Sequence, residues 1–200
     1  PFMSNQYVYV VDRNLYINLT NRCTNRCEFC VRYYDKPVYG DLWIDREPSA
    51  ERVIEILRES YDVTAYGEVV FCGYGEPTYR FDAIEEICAY VHACGGKTRI
   101  NTNGHGSEIN GCDITARMCA CMDTINISLN ATDAQAYDKI CNSEYGERAF
   151  GILLDFARGC VRCGGNVVLS VVDVIGAQQI EAARRIAADV GAKLRVRTLL

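Results

Sequence analysis

The sequence predicts an α/β domain, a TIM-like partial (β/α)6 open barrel with an N-terminal β-hairpin extension. Three observations carry this. Short runs of β-branched and aromatic residues alternate along the chain with segments of helical apolar spacing. With the first hairpin strand set aside there are six such runs, short of the eight strands of a closed barrel. No linker, repeat or low-complexity stretch divides the 200 residues, so residues 1–200 read as one domain.

The elements follow in order. "QYVYVV" and "LYINLT" are alternating strands joined across Asp12, Arg13 and Asn14, residues that favour a tight turn. "SAERVIEILRES" spaces Val53, Ile54 and Leu57 as a helix face, with Ser49 as its cap. "EVVFCG" is a short buried strand, and "FDAIEEICAYVHACGG" is a helix closed by a glycine pair. "KTRINTNG" is a strand, "DITARMCACM" a short helix and "DTINISLN" a strand. "DAQAYDKICN" and "ERAFGILLDFARGCVRCGG" are helical; "NVVLSVVDV", "AQQIEAARRIAADVGA" and "KLRVRTLL" close the series as strand, helix and strand. Strands separated by helices imply parallel pairing through right-handed crossovers.

Composition narrows the function classes. Net charge is −5 and the Lys and Arg residues are scattered, so no basic face speaks for nucleic acid as a partner. No apolar run approaches the ~20 residues that span a bilayer, and no signal-peptide pattern opens the chain, which starts at Pro1 without an initiator Met. Twelve cysteines would suit a disulfide framework in a small secreted domain, but here they lie inside patterned helices and strands. There a free cysteine acts as a small buried hydrophobe. The expectation is a reducing cytoplasm, in an organism that avoids oxygen.

The chemistry concentrates in "NRCTNRCEFCVRYY", where Cys23, Cys27 and Cys30 stand in a C-x3-C-x2-C spacing directly after a strand. Loops at strand C-termini are where such folds keep their ligands. Three thiolates can hold three irons of a cubane cluster and leave the fourth open, the mark of a catalytic rather than a structural site. The same spacing also suits a zinc site completed by a distant Cys or His, or a chance grouping in a cysteine-rich chain.

This loop, with Phe29 before its third cysteine, resembles the signature of the radical S-adenosylmethionine (radical SAM) superfamily. The resemblance runs from about Leu15 to Leu200. It implies a 4Fe–4S cluster on Cys23, Cys27 and Cys30, with S-adenosylmethionine chelating the open iron. Reductive cleavage of the sulfonium would then release a 5′-deoxyadenosyl radical that abstracts hydrogen from substrate. "FCGYGEPTYR" resembles the family's glycine-rich motif: Gly73, Tyr74 and Gly75 would offer backbone groups to the methionine ammonium, and Glu76 would accept from it. An acid between Gly and Pro at a strand end has little packing role, which favours a functional Glu76. "NTNG" resembles a recurring family turn containing Asn103. Ser128 and Asn130 in "ISLNATDAQAYDKIC" would meet ribose hydroxyls or the carboxylate, Ser170 the carboxylate and Val172 the adenine. Phe29 would lie along the adenine, and the last strand, with Arg195 and Arg197 facing the barrel mouth, would add backbone contacts.

Other residues carry weaker signals. The C-x-C of Cys119 and Cys121 and the C-x2-C of Cys160 and Cys163 read as packing cysteines rather than a second cluster, and His105 reads equally as a site residue or a polar loop tip. Tyr33, Tyr34 and Asp35 could cover the site, and Arg32 could tune a cluster by its charge. The phrases "LYINLTNRCTNRCEFCVR" and "FCGYGEPT" are most similar to the TatD-family-associated radical SAM proteins, which implies a TatD-type hydrolase or a macromolecular substrate as partner. The resemblance also implies an electron donor of flavodoxin or ferredoxin type. Since the short segment from Arg32 to Ile44 is all that could cover the mouth, a bulky or partner-presented substrate is expected. Two other readings stay open: a glycyl-radical-enzyme activase, and a non-catalytic zinc or iron–sulfur electron-transfer module.

Overall fold

The computed structural model describes residues 5–33 and 39–198. The chain forms two compact units: residues up to Cys23, Phe29–Asn101 and Cys121–Asp123 in the first, and Thr24–Glu28, Thr102–Ala120 and Thr124–Leu200 in the second. Tyr34 and Asp35 lie outside the described residues.

In the first unit, β1 (Val8–Val11) and β2 (Asn14–Ile17) form the expected hairpin, in register Tyr9↔Tyr16 and Val10↔Leu15. Its turn places Asp12 at φ 53°, a left-handed conformation that Asp tolerates better than a branched residue would. Strand β2 then pairs in parallel with β3 (Val69–Phe71), and β3 with β4 (Thr98–Thr102). Parallel pairing needs crossovers, supplied by α1 (Ala50–Ser60) and α2 (Phe81–Ala93). The Ser49 hydroxyl accepts from the Arg52 N–H (3.2 Å), so α1 starts at its cap. Helix α2 buries Ile84, Ile87, Cys88 and Val91, a stripe at i, i+3, i+4 and i+7. It ends where Gly95, at φ 85°, donates to the His92 carbonyl and Gly96 to that of Val91.

The second unit repeats the pattern. Strands β5 (Thr124–Ser128), β6 (Val167–Val172) and β7 (Lys193–Arg197) pair in parallel, in register Ser128↔Ser170 and Ser170↔Arg195. The helices here are α3 (Gly106–Asn110), α4 (Thr115–Cys121), α5 (Ala134–Cys141), α6 (Arg148–Arg162) and α7 (Ala177–Val190). The fold class is α/β with an open, mostly parallel sheet, as the sequence predicts.

Helix α3 is not foreseen. "HGSEIN" has poor helix propensity, and the turn forms because the Asn110 side chain donates to the Gly106 carbonyl (2.8 Å) and Gly111 closes it at φ 63°. Strand β7 also departs from expectation. Arg195 is exposed, but so is Val196, at 38%, so its apolar neighbours do not line one buried face. Among the described residues no helix is long and apolar enough to cross a membrane.

Ser49→Ala should cost about 1 kcal/mol, the usual value of an N-cap hydroxyl. Denaturant unfolding checks this, and an unchanged midpoint would show that the first turn of α1 is held by packing alone.

Candidate functional site

Parallel strands deliver their following loops to one end, so the cysteine loop after β2 and the Gly73–Glu76 turn after β3 leave the first unit side by side. Their contact is close. A Cβ on Gly73 would lie 2.0 Å from Asn18 Oδ1, and one on Gly75 would lie 2.3 Å and 2.6 Å from the carbonyl oxygens of Thr20 and Arg22. Only glycine permits that approach. The Glu76 N–H then donates to the Arg22 carbonyl (2.7 Å), so the turn is fastened to the residues leading into Cys23.

Side chains fix the rest of this half. Asn18 donates through Nδ2 to the Leu42 carbonyl (2.6 Å). Arg22 forks onto Glu47 at 2.7 and 2.8 Å and lies over the Tyr79 ring, while Arg80 joins the same carboxylate at 3.3 Å. Burial alone would raise the Glu47 carboxyl, but Arg22, Thr20 and Arg80 hold it below the ordinary range. The Arg32 guanidinium stacks on Trp43 (4.8 Å) and Tyr33 (5.3 Å) and donates at 3.4 Å to the carbonyls of Asn21 and Tyr74. Burial pushes the Cys30 thiol up, against the opposing pull of the Arg32 backbone and charge. Phe29 is half-buried and Tyr33 is exposed.

The expectation for Tyr74, which concerned its backbone, stands unaffected by its ring, whereas that for Glu76 changes. The Tyr74 ring is core, 6% exposed and edge-on to Trp43, so only its backbone is available to a ligand. Glu76 does have a packing role. It is 3% exposed and its Oε1 accepts from the Thr78 N–H (3.1 Å) and hydroxyl (2.8 Å), capping the 3-10 turn Pro77–Arg80.

The second unit holds Thr24–Glu28. The N–H groups of Arg26 and Glu28, on either side of Cys27, donate to the carbonyls of Cys141 (2.8 Å) and Ile140 (3.1 Å) at the end of α5. The Glu144 N–H donates to the Thr24 carbonyl (2.8 Å), and Asn25 donates to the Tyr137 hydroxyl (2.9 Å). Thr24 also anchors a buried triad. Asn103 Oδ1 accepts from the His105 N–H (3.0 Å), which fixes the amide so that Nδ2 donates to Thr24 Oγ1 (2.8 Å). The Thr24 hydroxyl proton is then left for His105 Nδ1, 2.9 Å away. His105 is therefore a neutral acceptor, fully buried and edge-on to Tyr137 and Tyr145, and not a polar loop tip. Burial lowers its pKa to about 4, against a raising contact with the Ala149 backbone.

The remaining candidates lie at the ends of β5, β6 and β7. Asn130, at φ 58° and 4% exposed, donates to Cys141 Sγ (3.5 Å), and its buried Oδ1 has no partner. Ser170 is fully buried, with its hydroxyl accepting from Asn126 (3.3 Å) and its carbonyl from Leu129. Ser128 is half-buried, Val172 is 5% exposed, and Arg197 is half-buried opposite Val172. Thr24, Asn18 and Cys141 carry no sequence signal of their own, because each has a partner far along the chain: Leu42 for Asn18, His105 for Thr24 and Arg26 for Cys141.

The spare cysteines take other partners. Cys119 donates to the Cys160 carbonyl (3.3 Å), and Cys88 lies against Cys121. Among the described residues, no three of His, Cys, Asp and Glu stand where they could hold a single metal ion. A surface pocket of about 520 Å³ beside α3, α4 and α6 includes Asp113, Phe156 and Arg162 but none of the candidate site residues.

The model of the Radical SAM superfamily matches residues 17–176. GTP 3′,8-cyclase of Corynebacterium glutamicum (strain ATCC 13032) is 31% identical over 135 residues, which are 64% of this chain and 33% of the relative. The chain thus spans about a third of the length of the curated relatives it matches. Streptococcus suis SuiB bound to S-adenosylmethionine has a TM-score of 0.70 at 18% identity, covering 94% of this chain and 41% of that one. Native anSMEcpe with bound AdoMet has a TM-score of 0.65 at 14% identity, covering 92% of this chain and 50% of that one. These likenesses show the fold, a partial TIM-like barrel. Members of the superfamily bind a 4Fe–4S cluster and S-adenosylmethionine. The residues here fit both: three thiols in one loop suit iron, and the glycine turn and the Asn130 Oδ1 suit an amino-acid moiety and a hydroxyl.

Gly75→Ala should displace the turn from the cysteine loop, because the new methyl meets backbone oxygens that cannot rotate away. Retention of wild-type cofactor affinity by that variant would show that the turn has room to spare. The His105 ring gives a pH signature. Its folded pKa lies below the ordinary 6.5, so stability is full above that value and is lost as pH falls towards 4. Between about pH 7 and about pH 5 this one group should remove about 2 kcal/mol of unfolding free energy. Denaturation at the two pH values, compared with His105→Asn, isolates the slope; equal slopes would refute it.

Proposed function

This chain belongs to the radical SAM superfamily, and we propose that it cleaves S-adenosylmethionine reductively and uses the product to abstract a hydrogen atom from its substrate. When bound, the cluster supplies the electron that splits the sulfonium, and S-adenosylmethionine supplies the 5′-deoxyadenosyl radical. The chain's own residues bind and orient. Cys23, Cys27 and Cys30 give their thiolates to three irons. The backbone of Gly73–Gly75 and the carboxylate of Glu76 receive the methionine ammonium, and the unpaired Asn130 Oδ1 accepts from a ribose hydroxyl. Phe29, Ser128, Val172 and Arg197 line the adenosine. Asn103 and Ser170 are further candidates at this site, although Asn103 also holds Thr24 and His105 and the Ser170 hydroxyl also accepts from Asn126.

The single observation that carries this reading is the glycine turn fastened to the run into Cys23. That contact supports the reading, because a glycine backbone with carbonyls open to an ammonium beside a loop of thiols is something a zinc knuckle does not need. The wording of the cysteine loop supports a place among the TatD-family-associated members, with a TatD-type hydrolase as partner and a flavodoxin or ferredoxin as electron donor.

Anaerobic reconstitution followed by dithionite should give about four irons per chain, and 5′-deoxyadenosine with methionine as products. Alanine at Cys23, Cys27 or Cys30 should abolish both. Glu76→Gln keeps the oxygen that caps Pro77–Arg80 but removes the charge. Its affinity for S-adenosylmethionine should fall about ten- to a hundredfold, the value of a charge-assisted hydrogen bond. A coloured protein that reduces but forms no 5′-deoxyadenosine would mark an electron carrier and sink the proposal.

A further inference from the structure

Strand register sorts the sheet of the second unit into two faces. On one, Ile125, Ile127, Leu169 and Val171 are all apolar and fully buried. A Cβ on Gly104 would touch both Ile127 and Leu153 of α6, so this is the helix side. The other face carries its side chains in rows, because partners in parallel register point the same way. Its lowest row is Asn126, Val168 and Lys193; the next is Ser128, Ser170 and Arg195; the last is Val172 and Arg197. The 3.3 Å bond from Asn126 Nδ2 to the Ser170 hydroxyl ties two of these rows together on that face.

Two features of this face call for a ligand. Asn126 is 5% exposed, and its Oδ1 has no hydrogen-bond partner among the described residues. A buried acceptor in that state is costly until a donor arrives. The second feature is charge. Lys193, Arg195 and Arg197 follow one another at every second position of β7, and no carboxylate stands on this face within the three strands, although the chain carries a net charge of −5. We propose that this face holds the substrate, and that the substrate is a small anionic metabolite. The Arg195 guanidinium takes its phosphate or carboxylate group, and Asn126 Oδ1 accepts from one of its hydroxyl or amine hydrogens. Guanidinium suits either anion, because its N–H groups form a fork that matches paired oxygens. Neighbouring strands lie about 4.8 Å apart and successive rows about 7 Å apart, which puts the two backbones about 12 Å from each other. The two side chains narrow that gap to the reach of one small molecule. Asn126 stands one row below Ser128, and Arg195 one row below Arg197, towards the strand N-termini. A ligand there adjoins the groups given to the adenosine in the reading above, on which this inference rests, without competing for them.

The test titrates the reconstituted protein, with S-adenosylmethionine bound, by calorimetry against ribose 5-phosphate, gluconate, methyl phosphate and ribose. Ribose 5-phosphate or gluconate should bind, the better of the two naming the anion, and ribose should not. Methyl phosphate has the charge but no sugar hydroxyl for Asn126, and should bind more weakly than ribose 5-phosphate. Arg195→Gln, at an exposed position, should lose about ten- to a hundredfold in affinity for the anionic sugar. Its affinity for S-adenosylmethionine should stay at the wild-type value. Asn126→Leu removes the acceptor at similar volume, and should bind ribose 5-phosphate no better than methyl phosphate. If that variant does not fold, the two phosphates compared on the wild type decide the same point. Arg184→Gln removes an equal charge from α7 and should bind as wild type does; a matching loss there marks unspecific attraction and overturns the proposal. So does an unchanged affinity in Arg195→Gln, or ribose binding as well as its phosphate. If the wild type binds no S-adenosylmethionine, the failure lies in the functional reading. Cofactor binding without Arg195-dependent anion binding sinks this inference alone.

Discussion

The cysteine loop cannot satisfy its own backbone, and this constraint organises the structure around it. Residues 18–28 form no strand or helix, so their N–H and C=O groups need partners elsewhere. Within the first unit the Asn18 N–H goes to the Tyr7 carbonyl, the Arg22 carbonyl accepts from the Glu76 N–H, and the Asn21 carbonyl accepts from Arg32. Within the second the partners are the end of α5 and Glu144. The close-packed glycines, the buried amides and the precise ending of α5 all follow from it.

The same constraint explains why buried polar side chains gather here. Thr24, Asn25, Asn103, His105 and Asn130 are each less than a tenth exposed, and an unsatisfied polar group in such a place costs on the order of 1–3 kcal/mol. Most are satisfied by one another, so that the network specifies one loop conformation. Among the described residues Asn130 Oδ1 has no hydrogen-bond partner, and neither has His105 Nε2. Neutral His105 is fully buried, and so its proton-binding reports on stability.

The cysteines fall into distinct environments despite their equal chemistry. Cys23, Cys27 and Cys30 are half-buried in the loop, whereas Cys88, Cys141 and Cys160 are fully buried in helix stripes. Cys88 fits the reading of a small buried hydrophobe, since it sits in the apolar stripe of α2. Cys141 lies at the end of α5, where its sulfur accepts from Asn130 Nδ2 at 3.5 Å. Equal burial therefore does not mean equal surroundings.

What the sequence determined by itself was whatever depends on local period and turn chemistry. The six strand units, the hairpin, the Ser49 cap and the glycine closure of α2 were legible because each is set by residues within a few positions of one another. The three cysteines and the glycine turn were legible for the same reason, as compact motifs with a resemblance attached. Helix α3 was not, because a side-chain bond and a left-handed glycine overrode poor propensity. Nor was the division of labour among polar residues. That Asn103 holds Thr24 and that the Ser170 hydroxyl accepts from Asn126 depend on orientation between distant segments. Tertiary structure alone decided these, because a hydrogen bond is satisfied by geometry at about 3 Å and spacing along the chain does not encode that geometry.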